Sequence, residues 1–198
     1  MPIIEPIPMD QLPPVTREVI ENGCAEGLYA TPIPLQIFAY NTRELLETHQ
    51  HRRMMGDGTL LGGRIVELLR IRSAQLGQCQ PCMQSRKHDS ITEDDVACLL
   101  DVDGGDLTEQ ERLAVKFLDL LSADHHAIDA DFYRELSQVF TAAQIVELGF
   151  TCAQSMGLHR FIHTLEVFGS DEPVIPYSPD QVDRRHPAPA EQRSTVSV

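Results

Sequence analysis

No stretch of this 198-residue chain approaches the roughly 20 consecutive apolar residues that cross a bilayer, so no membrane partner is expected. The opening Met1-Pro-Ile-Ile-Glu-Pro-Ile-Pro8 contains neither a basic region nor a long apolar run, and no secretory signal is read there. Basic charge is scarce too: 16 Lys and Arg stand against 30 Asp and Glu, a formal charge of −14. Without a broad positive field, nucleic acid is not an expected partner. The short basic runs His51-Arg52-Arg53 and Arg184-Arg185-His186 are too small to reverse that balance. No segment sustains a two-residue alternation of apolar and polar side chains, and no repeat of short fixed period is present. Cysteine is odd in number (Cys24, Cys79, Cys82, Cys98, Cys152), and a chain of this length buries a core without disulfide or metal staples. A reducing cytoplasm is the expected compartment. There, a Cys-x-x-Cys pair is more often catalytic or metal-binding than structural.

What the chain does have is helical periodicity, and the fold class read from it is all-α. Residues 1–14 hold Pro2, Pro6, Pro8, Pro13 and Pro14, which forbid a regular helix and suggest an extended arm lying on the body or on a neighbouring subunit. A helical domain is expected over residues 15–168. Its segments run from Val15 to Asn22, stopped by Gly23, and from Thr31-Pro32 towards Met55, broken by Gly56-Asp-Gly58. The next covers Gly63 to Leu76 with Gly77 as its stop, followed by one from about Cys79 to His88. Thr92-Glu-Asp-Asp95 and Thr108-Glu-Gln-Glu111 read as capping boxes, Asp129 or Asp131 as the cap of a helix to Phe140, and Thr141-Ala-Ala-Gln144 as the cap of a last long helix through Val167. Residues 169–198 turn to Pro, Asp, Arg and Ser and read as a mobile or surface-draped tail.

The chemistry concentrates at Cys79-Gln-Pro-Cys82, with Glu67 twelve residues upstream on the preceding expected helix. Two thiols at this spacing can close a disulfide within one helical turn, and unpaired N–H groups at a helix start favour a thiolate. The pair can also be half of a zinc site, or two unreactive buried thiols, since cysteine packs as a small hydrophobe. Cys24, Cys98 and Cys152 read as packing residues.

The order Glu67-x11-Cys79-x-x-Cys82, the Leu107-Thr-Glu-Gln-Glu-Arg-Leu-Ala-Val-Lys-Phe117 helix, and the last helix from Thr141-Ala-Ala-Gln-Ile-Val-Glu-Leu148 to Arg160-Phe-Ile-His-Thr-Leu165 together resemble the carboxymuconolactone decarboxylase and alkylhydroperoxidase D superfamily. The similarity covers about residues 15–168. It implies an alkylhydroperoxidase D-like helical domain that assembles into homo-oligomers, trimers or hexamers, with the cysteine pair in a pocket. It also implies a thiol-dependent peroxidase or disulfide oxidoreductase acting on hydroperoxides or disulfides, with Cys82 as attacking thiol, Cys79 as resolving thiol and Glu67 as proton acceptor. A lipoyl- or thioredoxin-like dithiol would be the reductant. No cofactor and no metal are implied.

One position departs from the motif: four residues after Cys82 the branch has a histidine, and here stands Arg86. His88 lies about 240° round an ideal helix from Cys82 and does not take that place. On a continuous helix Arg86 would neighbour Cys82, and a guanidinium, always charged, would favour the thiolate without shuttling protons. The stripe Ile145, Cys152, Met156 leads to His159 and His163, so at least one imidazole is expected to point into the domain or an interface. Either can serve as a core hydrogen-bonding residue or replace the absent relay histidine. Cys79, Cys82, His159 and His163 would also satisfy zinc chemically. Two other functional classes remain: a non-redox enzyme acting on a small carbonyl or lactone through Glu67 and a histidine, and a redox or metal sensor.

Overall fold

The structure is a computed structural model that describes residues 2–56 and 59–167, and the tail expected at 169–198 lies outside the described residues. Helices and short 3-10 turns, with no strand, make up the regular structure of the described residues. The helices are α1 (Pro14–Ala25), α2 (Ile33–Phe38), α3 (Thr42–Gly56), α4 (Gly63–Leu76), α5 (Gln80–Gln84), α6 (Glu93–Cys98), α7 (Glu109–Ala123), α8 (Ala130–Val139) and α9 (Ala142–Thr164).

Helix starts follow the local chemistry. Thr92, Thr108 and Thr141 each accept from the backbone N–H three residues on, while Asp95, Glu111 and Gln144 bond back to the cap N–H. Asp129 caps α8 by accepting from the N–H groups of Asp131 and Phe132. Four boundaries differ from expectation, the simplest being that α9 ends at Thr164 and not at Val167. The segment expected from Thr31 to Met55 is divided into α2, a 3-10 turn at Ala39–Asn41, and α3. Gly23 does not stop α1, which runs on to Ala25; a Cβ at Gly23 would stand 2.5 Å from the Tyr29 ring, so the glycine admits that ring. The helix expected from Cys79 to His88 is only the five-residue α5.

Helix α4 occupies the centre, with every residue from Glu67 to Leu76 buried. It packs against α9, α7, α5 and α6. Leu69 and Leu76 join Leu113, Phe117, Leu118, Phe132, Leu148 and Cys152 in the main core, each such apolar side chain contributing about 1.5–3 kcal/mol on full burial. A helix buried all round still carries charges, and each is answered. Arg72 forms a two-point pair with Asp119 of α7 at 2.8 and 2.9 Å, and Arg64 bridges Asp95 of α6 and Glu111 of α7. Burial raises the Asp119 pKa, against the opposing hydrogen bond from Arg72. The Arg64 hydrogen bond holds the Asp95 carboxyl well below the usual range.

The N-terminal segment lies along the body. The Ile3 N–H donates to the Leu165 carbonyl at 3.0 Å, Gln36 Nε2 donates to the Ile7 carbonyl at 2.9 Å, and the Tyr40 hydroxyl donates to the Glu5 carbonyl at 3.2 Å. It is not wholly extended, since Met9–Gln11 form a 3-10 turn, and Leu12 is buried with Ile20, Leu35 and Leu45.

Candidate active site

The turn between α4 and α5 presents the cysteine pair. Gln78, at φ 54°, supplies the left-handed residue that ends α4, and the Cys79 N–H reaches back to the Ala74 carbonyl at 3.0 Å. Gly77 caps α4 directly after Leu76, as expected of the stop, though at φ −90° it does not use a left-handed conformation, and it also serves a packing need. A Cβ there would lie 2.8 Å from the Cβ of His159, so the glycine lets α9 approach this turn.

Cys79 and Cys82 are joined as a disulfide with a Cα–Cα distance of 5.2 Å. Their environments differ. Cys79 is 1% exposed and packs with Ala74, Met83 and Ile162, whereas Cys82 is half-buried and lines a small cavity with Leu35, Phe38, Leu158 and Ile162. The outer sulfur is therefore that of Cys82. Cys24 and Cys98 are free and half-buried; Cys152 is buried in the main core, where burial pushes its thiol well above the usual range.

Glu67 and Arg70, one turn apart on α4, brace this segment. Both Arg70 donors on one edge meet both Glu67 oxygens, at 2.7 and 2.8 Å, and Glu67 Oε1 also accepts from the Lys87 N–H at 2.7 Å. Arg70 in turn donates to the carbonyls of Cys82 and Ser85, each at 2.6 Å. These contacts explain why α5 stops at Gln84: carbonyls left over at a helix end are taken by a guanidinium, and the chain is held irregular from Ser85 to His88. Arg70 was not among the residues singled out from sequence. Its only local signal is the i, i+3 spacing from Glu67.

Because α5 ends early, Arg86 is not beside Cys82 on a continuous helix. It pairs with Glu93 at 2.9 Å and donates to the Met83 carbonyl, so its charge is directed towards α6. The start of α5 also favours a thiolate only weakly, because five residues sum few peptide dipoles. Positive charge at the site comes instead from Arg70, Arg52 and Lys87, all of which line the cavity with Cys82.

A second cavity, of about 370 Å³, adjoins the first across Arg52, Arg70 and Lys87, and it is lined by Glu67 and, at its rim, by Arg86 and His88. Arg52, on α3, sits with its guanidinium 5.8 Å from the centre of the Tyr29 ring. Burial pushes the Tyr29 hydroxyl up to about 12, and that hydroxyl is hydrogen-bonded to His49 Nδ1 at 2.9 Å. Loss of solvent lowers the pKa of Lys87, and the neighbouring Arg70 and Arg52 add to the effect.

The two histidines of α9 part company. His159 is 1% exposed, Nδ1 sits 2.9 Å from Ser73 Oγ of α4, and Nε2 has no hydrogen-bond partner among the described residues. Burial, reinforced by Arg52, Arg70 and Arg160, lowers its pKa to about 3. It lies in the α4–α9 contact and lines neither cavity. His163 is exposed, because the buried face of α9 continues through Ile162 and Leu165 instead. His88 covers Gly63 and is hydrogen-bonded to Ser90. Cys79, Cys82, His159 and His163 are not brought together as a metal site: the described residues contain no group of three or more His, Cys, Asp or Glu able to hold an ion. Among the described residues no helix is long and apolar enough to cross a membrane.

The geometry supplies a dithiol pair with one shielded and one cavity-facing sulfur, a cationic wall beside the latter, and a buried carboxylate–guanidinium brace behind it. No protein-family model, no curated protein and no solved structure matches this chain.

Proposed function

We propose that the chain is a thiol-dependent peroxidase or disulfide oxidoreductase of the alkylhydroperoxidase D-like type, cycling through the Cys79–Cys82 disulfide. The observation that carries this reading is the asymmetry of the pair: Cys82 lines a cavity beside Arg70, and Cys79, within bonding distance, is buried behind it. The Cys82 thiolate attacks the terminal oxygen of a hydroperoxide; the S–O bond forms, the O–O bond breaks, and the departing alkoxide takes a proton from water to become an alcohol. The Cys79 thiol then attacks the sulfenic sulfur. The S–S bond forms and the hydroxyl leaves with the thiol proton as water. A lipoyl- or thioredoxin-like dithiol reduces the disulfide by exchange and is itself oxidised, which requires a reducing compartment such as the cytoplasm.

In this cycle Arg70 favours the thiolate electrostatically, and Glu67 acts through Arg70, by holding the guanidinium against the Cys82 carbonyl. A proton-acceptor role for Glu67 at the thiol itself has less support, because both its oxygens are engaged by Arg70 and one also by the Lys87 N–H. The same reading makes the protein a homo-oligomer, a trimer or a hexamer.

The test is peroxide treatment of the reduced protein followed by mass spectrometry. One equivalent is expected to convert Cys79 and Cys82 reversibly to the disulfide. Cys82→Ser is expected to abolish hydroperoxide turnover, and Cys79→Ser to accumulate sulfenic acid on Cys82. Sulfenic acid on Cys79 in the Cys82→Ser variant would reverse the assigned roles, and turnover surviving loss of both thiols would refute the dithiol mechanism.

A further inference from the structure

We infer that the paired cavities select an organic anion, a carboxylate with an apolar tail, whose head is held between Arg52 and Lys87. This deepens the reading of the cleft as the substrate site and rests on it. The chain as a whole is strongly acidic, at −14, yet the wall common to both cavities carries three cations, Arg52, Arg70 and Lys87.

Two of these charges are left over once the ion pairs are assigned. Arg70 is matched by Glu67, Arg86 by Glu93, and the lining carboxylate Glu26 by Arg53. Among the described residues no carboxylate lies within ion-pair distance of Arg52 or Lys87. Lys87 Nζ donates to the Gly27 carbonyl, which satisfies a donor and leaves the charge in place. Arg52 rests over the Tyr29 ring, which orients the guanidinium and leaves its N–H fork for an acceptor. The remaining lining carboxylate, Asp89, is exposed at the rim. A partly buried guanidinium without a counter-charge is costly to keep, and a bound anion offsets that cost.

The rest of the ligand follows from the walls. In the smaller cavity Leu35, Phe38, Leu158 and Ile162 stand with the cationic wall around Cys82, so a ligand whose head is held between Arg52 and Lys87 meets apolar side chains next to the sulfur. A carboxylate is matched two-pronged by the Arg52 fork, with the Lys87 ammonium as a second point charge.

Calorimetry on the full chain in its disulfide form tests this without turnover. Sodium octanoate is the probe and octanamide its neutral counterpart. Octanoate is expected to bind roughly tenfold or more tightly than octanamide, the usual worth of a charge-assisted hydrogen bond. Arg52→Gln is expected to remove that preference, Arg52→Lys to retain part of it, and Lys87→Gln to reduce it. Helical circular dichroism equal to the parent's shows that a variant has folded. Equal affinity for the two probes, no binding of octanoate, or a preference untouched in a folded Arg52→Gln protein overturns the proposal. Loss of hydroperoxide turnover in the parent, with octanoate preference intact, would sink the peroxidase reading alone; the converse would sink only the anion assignment.

Discussion

At the scale of single residues, the determining substitution of roles is Arg70 for Arg86. Arg86 was expected beside Cys82 because the two stand four apart, and that inference needs an unbroken helix. The helix is broken because Arg70, from another element, takes the carbonyls of Cys82 and Ser85. Arg86→Ala is therefore expected to leave the pH dependence of Cys82 alkylation in the reduced protein unchanged. Arg70→Lys, which keeps a cation but loses the fork, is expected to raise the pH at which Cys82 reacts and to loosen the segment after α5. Rates with iodoacetamide across pH separate the two. An Arg86→Ala curve displaced as far as that of Arg70→Lys would return the electrostatic role to Arg86. The sequence made Cys79, Cys82 and Glu67 legible because spacing along the chain is itself their signal. Arg52 and Tyr29 were not legible, since their stacking depends on how α3 lies against the loop after α1. Nothing in His51-Arg52-Arg53 marks the middle residue as the one that lines both cavities.

At the scale of elements, legibility divides in the same way. All three Thr boxes and the Asp129 cap were readable because donor and acceptor lie within three residues of each other. Gly23 does not stop α1, and Gly77 does follow the last residue of α4, but at both the sequence shows a missing side chain without showing what fills the space, here Tyr29 and His159. The second of these defines the α4–α9 contact, where His159 meets Ser73 in the buried seam. Its pKa of about 3 lies below the ordinary value of 6.5, so between those pH values the unfolded chain binds a proton that the folded chain excludes. The seam's contribution is complete above about pH 6.5 and is lost as pH falls through that window. By linkage the loss is on the order of a few kcal/mol. Urea unfolding from pH 7 downwards is expected to show this decline, and His159→Gln to flatten it while lowering stability at neutral pH. Parallel pH profiles for parent and variant would mean that His159 is hydrated and titrates normally.

At the scale of the whole molecule, α9 has two apolar faces and the described chain covers only one. Leu148, Cys152, His159 and Ile162 are buried against the body, while Val146, Phe150, Ala153, Gly157 and Phe161 follow one another at three- or four-residue steps on the opposite, exposed side. Val146 and Phe150 are 60% and 62% exposed, and Phe161 is 49% exposed although it stacks on Phe38 at 5.8 Å. Isolated exposed apolar side chains are ordinary, but a stripe running four turns along the longest helix is the pattern of a surface that meets another. Small residues within it, Gly157 with no atom within 4 Å of a Cβ built there, permit close approach of a second helix. Opposing this is the charge of −14 on every copy, which repels at long range and is screened by salt. Self-association through this face is therefore expected to strengthen, not weaken, as salt is raised. Light scattering at micromolar concentration is expected to give a trimer or a multiple of it, and Phe150→Glu to shift the population towards monomer with helix content preserved. A parent that remains monomeric at every salt concentration refutes self-association. An assembly that Phe150→Glu leaves intact places the interface on another face of the molecule.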